Sequence, residues 1–251
     1  MSNTWSERMK RTWDELAERN AMHYIATDRD DWDRTAFLDS GERVVARLVG
    51  LARQWPPETP AGVALDLGCG IGRLSFALAK GFDRVVGVDV SETMVRKARA
   101  LAVELGVQNV EFLCSNGRDL HGVGDASCDF AFSYVVLQHM PSRQLILNAI
   151  AEFGRVLRPG GQVVFQVPVY RPGLVVPPWR AVQRLFRLAL AGAEAFHLVS
   201  PERGTAFRGT RLKAGELQDT ITRAGLRLDT LQRDPSRYRF CDDWVVVCRK
   251  P

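Results

Sequence analysis

The sequence predicts an α/β fold: a mostly parallel sheet with helices on both faces, closed by an antiparallel final hairpin. Three observations predict it. Short apolar runs bounded by glycine, such as Val63-Ala-Leu-Asp-Leu67, alternate with longer stretches of helical period. That run passes straight into Gly68, Gly70 and Gly72 and then into a helical pattern from Arg73, the strand–turn–helix order that opens a Rossmann-like, mononucleotide-binding sheet. The last two strand-like runs, about 226–233 and 244–248, have no helix between them, which suits an antiparallel pair.

Taken in order, Trp5, Met9, Trp13 and Leu16 recur at helical spacing over residues 5–19. Residues 20–32 are dense in aromatic and polar groups and read as a loop. A second helix is expected from near Ser40 to Gln54, with Val44, Val45, Leu48, Leu51 and Ala52 inward; Trp55-Pro-Pro-Glu-Thr-Pro60 is a stiff linker. Trp5, Trp13, Trp32 and Trp55 all precede the first strand, so residues 1–60 are expected to form a helical lid or cap over residues 61–168. The helix from Arg73 ends at Gly81, and the next strand, 84–89, ends in Asp89. Ser91 caps a helix in which Met94, Val95, Ala98, Leu101 and Leu105 share a face and Gly106 stops it. Strands follow at 110–114, 129–134 and 162–167, with a helix at 142–157 before the last of these. Residues 169–211 read as an insertion for substrate recognition, and residues 212–251 complete the sheet with a helix at 212–224 and the hairpin.

Bulk properties narrow the function classes. The chain has 251 residues, 46% hydrophobic and 25% charged, which is ordinary for a globular α/β domain. The charged opening residues are unlike a secretory signal, and no run approaches about 18 uncharged apolar residues. Cys69, Cys114, Cys128, Cys241 and Cys248 are scattered, with no C-x-x-C and no zinc pattern, as expected of a cytoplasmic protein without a metal. The net charge of +5 is unevenly spread. Arg171, Arg180, Arg184, Arg187, Arg203, Arg208, Arg211 and Lys213 face only Glu194 and Glu202 within residues 171–213.

Chemistry concentrates at the glycine turn. Asp66 sits one residue before the strand ends, where a carboxylate emerges at the carboxyl edge of the sheet. Glycines at 68, 70 and 72 let a ligand approach the backbone. A dinucleotide motif, G-x-G-x-x-G, would require glycine at position 73, which is arginine, so an NAD-dependent dehydrogenase is disfavoured. Asp89, about 20 residues beyond the turn, can accept both hydroxyls of an adenosine ribose.

The acid followed by G-x-G-x-G resembles the first motif of the class I S-adenosylmethionine (SAM)-dependent methyltransferases, of the small-molecule "methyltransferase domain" type. Phe132-Ser-Tyr-Val-Val-Leu-Gln-His139, a helix, and then Val156-Leu-Arg-Pro-Gly-Gly161 resemble the same family. The resemblance covers about 62–168 and 212–250 and implies a Rossmann-like, seven-stranded sheet. It implies SAM as cofactor, with Asp66, Gly68, Cys69, Gly70 and Gly72 at its methionine part and Asp89 and Val90 at the ribose. Asn116 and Gly117 are expected at the adenine edge, where the family commonly has an acid and this chain has an amide. Met94, Leu120 and Tyr134 are candidate walls. Methylating a hydroxyl calls for a base, and His139, after the fourth strand, is the first candidate; His23 is the second. Tyr24, Trp32, Gln138, Trp179 and Arg180 are candidate substrate contacts.

The expected function is therefore methyl transfer to a small-molecule acceptor, a hydroxyl for preference. Residues 179–190 can form a basic amphipathic helix, which points to an anionic or lipid-linked acceptor or to peripheral membrane contact. An RNA methyltransferase is the nearest alternative, since the pI is about 9.1. No DNA partner is expected, because the fourth strand ends in Ser133-Tyr-Val-Val rather than an Asn/Asp-Pro-Pro-aromatic motif. A catalytically silent SAM-binding or partner-regulating protein is the third reading.

Overall fold

The computed structural model describes residues 3–26, 29, 31–56, 61–170, 211–234 and 243–251. Helices α1 (Asn3–Ile25) and α2 (Arg34–Ala52) precede β1 (Val63–Leu67) and α3 (Arg73–Leu78). Then come β2 (Arg84–Asp89), α4 (Glu92–Leu105), β3 (Val110–Cys114) and β4 (Cys128–Ser133). A 3-10 turn (Leu137–His139), α5 (Arg143–Val156) and β5 (Leu157–Tyr170) follow. The chain closes with β6 (Leu212–Lys213), α6 (Ala214–Arg223), β7 (Arg227–Arg233) and β8 (Asp243–Arg249).

Seven strands lie in the order β3-β2-β1-β4-β5-β8-β7, and the two-residue β6 pairs with the end of β5. The pairs from β3 through β5 are parallel, whereas β5/β8 and β7/β8 are antiparallel. Alternation sets the two faces of the sheet. Phe130 and Phe132 of β4 pack with Val45, Leu48, Leu74 and Leu78 of α2 and α3. Ala131 packs on the other face with Ile146, Ile150 and Phe153 of α5. Strand order reverses between β1 and β4, which opens a crevice at their carboxyl ends.

The expected loop at 20–32 is in part helical. Asn20 leaves helical geometry (φ −163°, ψ 86°), and its Oδ1 accepts the His23 N–H at 3.1 Å, so the helix breaks and is capped again within α1. Helix α2 starts well before Ser40, because Asp33 caps it by accepting the Ala36 N–H at 2.8 Å. Strand β5 is longer than expected, since Arg158–Gly161 stays on the sheet through a register shift between Cys128 and Phe130. Gly160 N–H donates to the Lys250 carbonyl and Lys250 N–H to the Gly161 carbonyl, each at 2.8 Å. The basic helix expected at 179–190, with Trp179 and Arg180, lies outside the described residues. Among the described residues, no helix is long and apolar enough to cross a membrane.

Candidate functional site

A cleft occupies the crevice where β1 and β4 part. Its first wall is the glycine turn. Gly68 has φ +79°, and a Cβ there would lie 2.3 Å from Val136 Cγ2. Gly70 has φ +54°, and a Cβ would lie 2.6 Å from Ile25 Cδ1. The positive φ strains a side chain at both positions, and at Gly68 Val136 also blocks one, so backbone stays at the cleft surface. Gly68, Cys69 and Gly70 line the cleft; Gly72 does not, standing instead at the start of α3 against the Phe76 and Phe112 rings.

Asp89 lines the cleft beside the turn. Its Oδ2 accepts the Gly70 N–H and its Oδ1 the Ser91 N–H, both at 2.9 Å. Burial raises its carboxyl pKa, and those backbone donors oppose the rise. The same carboxylate thus ties the turn to the start of α4, which fixes the spacing between the two expected cofactor contacts. Val90 and Met94 complete this wall.

Asp66 is outside the lining, 1% exposed on β1 beneath the turn. Its Oδ2 accepts the Ser75 hydroxyl at 2.6 Å, whereas Oδ1 is buried with no hydrogen-bond partner among the described residues. Burial pushes its pKa up to about 7, with the Ser75 hydrogen bond and the Arg73 charge acting the other way. A buried acceptor without a donor requires an explanation, and a ligand's donor is one.

The loop after β3 lines the cleft through Ser115, Gly117, Arg118, Asp119 and Leu120. Asn116 is not part of the lining. Its Oδ1 accepts the N–H groups of Arg118 (2.8 Å) and Asp119 (3.2 Å), and its Nδ2 donates to Asp119 Oδ1 at 3.0 Å. That side chain holds its own turn, so the group the cleft meets at this edge is Asp119.

On the opposite wall, Tyr134, Val135, Val136, His139 and Met140 follow β4. His139 meets the Trp13 ring edge-on at a centroid separation of 5.6 Å. The Gln138 side-chain NH2, a donor only, lies 3.0 Å from His139 Nε2. Nε2 is therefore the accepting nitrogen. Helix α1 contributes Met9, Trp13, Tyr24 and Ile25 to the cleft. It is seated on the sheet domain by Asp14, whose Oδ1 accepts the Ser91 hydroxyl (2.6 Å) and the Thr93 N–H (3.1 Å), and by the Ser6 hydroxyl, which donates to the Asn116 carbonyl at 2.9 Å.

Three further expected residues are outside the lining: Gln138, which stands behind His139, and His23 and Trp32. His23 Nδ1 is 3.0 Å from the Arg29 carbonyl, and its ring meets Tyr24 edge-on. Trp32 donates its indole N–H to the Ala26 carbonyl at 2.6 Å and packs edge-on against Phe37. Conversely, Arg73, Asp119, Val135 and Glu152 line the cleft although the sequence does not single them out as site residues. Arg73 enters the sequence reading only by breaking the dinucleotide motif. Glu152, on the helix 142–157, carries no local signal.

A family model described as "Methyltransferase domain" matches residues 64–161. A ubiquinone biosynthesis O-methyltransferase of Xanthomonas euvesicatoria pv. vesicatoria is 30% identical over 219 residues, covering 87% of this chain and 77% of that protein. One of Xanthomonas axonopodis pv. citri is 31% identical over 171 residues, covering 68% of this chain and 65% of that protein, just under two thirds of its length. The crystal structure of magnesium protoporphyrin IX methyltransferase from Synechocystis PCC 6803 with bound SAH has the same fold, with a TM-score of 0.67 at 19% identity over 96% of this chain and 98% of that one. The chain belongs to the class I SAM-dependent methyltransferases, with SAM as its cofactor.

Proposed function

We propose that this small-molecule methyltransferase acts on a hydroxyl of an apolar or lipid-linked acceptor. The observation that carries the reading is His139 in the same cleft as the glycine turn and Asp89, with Trp13, Val135, Val136, Met140 and Leu145 around it. The name of these relatives, O-methyltransferase, agrees with a hydroxyl acceptor. The anionic part of the expectation rests on residues 171–210, which lie outside the described residues.

The residues present fit the cofactor. The orphan Asp66 Oδ1 suits an ammonium group, the bare backbone of Gly68–Gly70 a close-lying amino-acid chain, and Asp89 the ribose hydroxyls. Gly117 and Asp119, in the cleft lining with Met9 and Leu120, are assigned to the adenine edge. Bound SAM supplies a methyl group on a positively charged sulfur, an electrophile with a good leaving group. What remains for the protein is orientation and proton removal. His139 accepts the hydroxyl proton at Nε2, the acceptor hydroxyl taking the place of the Gln138 amide there. Trp13 holds the imidazole ring against rotation. Helix α1, spanning the cleft by way of Met9, Trp13 and Ile25, acts as a lid that keeps water from the reacting groups.

The test is His139→Asn assayed with labelled SAM and phenols bearing apolar tails. Transfer should fall about 10²–10⁴-fold, the range for a lost general base. Calorimetric SAM binding should persist. Unchanged transfer would remove His139 as the base, and transfer only to amines would remove the hydroxyl reading.

A further inference from the structure

The residue after β4 with the least favourable backbone is also at the cleft surface. Val135 has φ +62°, a left-handed conformation that β-branched residues avoid. Such strain persists only where surrounding contacts over-determine it. Here those contacts form a closed chain of hydrogen bonds. Val135 N–H donates to Gln166 Oε1 at 2.9 Å. Gln166 Nε2 donates to Asp234 Oδ2 at 3.1 Å. Asp234 Oδ1 meets Arg47 Nη1 at 3.3 Å, and Arg47 Nη2 donates to the Tyr134 hydroxyl at 3.1 Å. Arg47 also lies over the Tyr134 ring, 5.6 Å from its centroid. The chain begins and ends on two consecutive residues, Tyr134 and Val135, and both line the cleft.

Its members come from α2, β5 and the residue that follows β7, so separate segments converge on one dipeptide. Gln166 is 2% exposed and the Asp234 carboxylate is fully buried. Packing alone does not require a glutamine there: its β8 partner is Val245, and Val164 precedes it on the same face of β5. The consequence of the clamp is positional. The next residue, Val136, packs so closely on Gly68 that no Cβ fits between them. The 134–136 backbone therefore sets the gap between the acceptor wall and the glycine turn.

We infer that Gln166, held by Asp234 and Arg47, is a positioning residue for methyl transfer, acting through the Val135 N–H to keep the strained Tyr134–Val135 segment at the distance from the glycine turn that in-line transfer requires. The inference rests on the methyl-transfer reading above. Misplacing reacting groups by an ångström costs about 10²-fold in rate, without a matching loss of binding.

The experiment compares Gln166→Met, which keeps volume but neither hydrogen bond, with Gln166→Glu, which keeps the acceptor for Val135. When ionised, the carboxyl introduced by Gln166→Glu faces the Asp234 carboxylate, with Arg47 the cation and Tyr134 the phenol at the site; when protonated, it restores both hydrogen bonds. Three quantities are read: SAM affinity by calorimetry, kcat at saturating substrates, and hydrogen exchange of the Val135 amide by NMR. Gln166→Met should lose Val135 amide protection and about 10²-fold in kcat, with SAM affinity within about twofold. The ratio of Gln166→Glu to wild-type kcat should rise as pH falls. Undiminished kcat or unchanged Val135 protection in Gln166→Met would overturn the assignment, as would loss of SAM affinity in proportion to kcat. If the wild type methylates only nitrogen or carbon, the hydroxyl reading fails while the Gln166 comparison still stands on that acceptor.

Discussion

The cleft wall at the ends of β1 and β2 and the wall that follows β4 are built from different distances along the chain. The first comes from residues 66–94, and the hydrogen bonds within that segment join residues no more than 19 apart (Asp89 to Gly70, Asp89 to Ser91, Asp66 to Ser75), with Asp14 of α1 added from outside it. The second is held by partners far apart, with Tyr134 tied to Arg47 and Arg47 to Asp234, 187 residues away. The difference separates two tasks. A cofactor common to many enzymes can be held by a short motif, whereas the wall proposed for the acceptor is assembled by the particular packing of this chain.

The contrast breaks most severely if the short motif tolerates change. Gly68→Ala combines a left-handed φ with a Cβ 2.3 Å from Val136, and should cost about 2–4 kcal/mol of stability in denaturant or thermal melts. A wild-type melting curve would show that Val136 can move aside, and that the two walls are less tightly opposed. Asp89→Ala removes a carboxylate from the expected ribose site and the acceptor for Gly70 N–H. SAM affinity by calorimetry should fall by about 1.5–3 kcal/mol, the scale of charge-assisted hydrogen bonds.

Asp66 sharpens the comparison through pH. With its pKa raised to about 7 by burial, the carboxyl is protonated below that pH and ionised above it. An ammonium ligand requires the ionised form, so SAM affinity should rise by up to about tenfold per pH unit between about pH 5 and 7 and level off above. Asp66→Asn should abolish that slope. A slope retained in the variant would assign it to another group and leave Asp66 as a strand-end support for Ser75. The smallest effect is expected at the far wall: Trp13→Ala should cost about 0.5–1.5 kcal/mol in acceptor binding through the lost edge-on contact with His139. An equal loss of SAM affinity would place Trp13 on the cofactor side instead.

How much can be read from the chain alone follows the same division. Strands 63–67, 84–89 and 110–114, the glycine turn and the Ser91 and Gly106 caps are legible because each depends on residues next to it. Asp33 is legible in principle, as a capping acid before a helical run, but the aromatic density of 20–32 masks it. Asn20 is opaque, since an asparagine that breaks a helix and then caps its continuation looks like a loop. Asn116 is expected at the adenine edge only by analogy of position. Its amide instead serves its own turn, and Asp119, three residues on, faces the cleft. Val135 carries a signal in the wrong direction: a β-branched residue argues for extended backbone, and only the acceptor from Gln166 makes the left-handed turn tenable.

Read alone, the sequence determined the order of strands and helices, the mononucleotide-binding turn, the carboxylates at 66 and 89 and the histidine after β4. These follow from local periodicity, from glycine's freedom of φ and from spacing along one chain segment. Tertiary structure alone decided that α1 lends Met9, Trp13, Tyr24 and Ile25 to the cleft, that His23 and Trp32 stay out of it while His139 and Trp13 meet, and that Arg47, Gln166 and Asp234 converge on Tyr134 and Val135. Apart from His23 and Trp32, whose partners lie within six positions, those outcomes depend on contacts between residues tens to hundreds of positions apart, which leave no periodic trace in the chain.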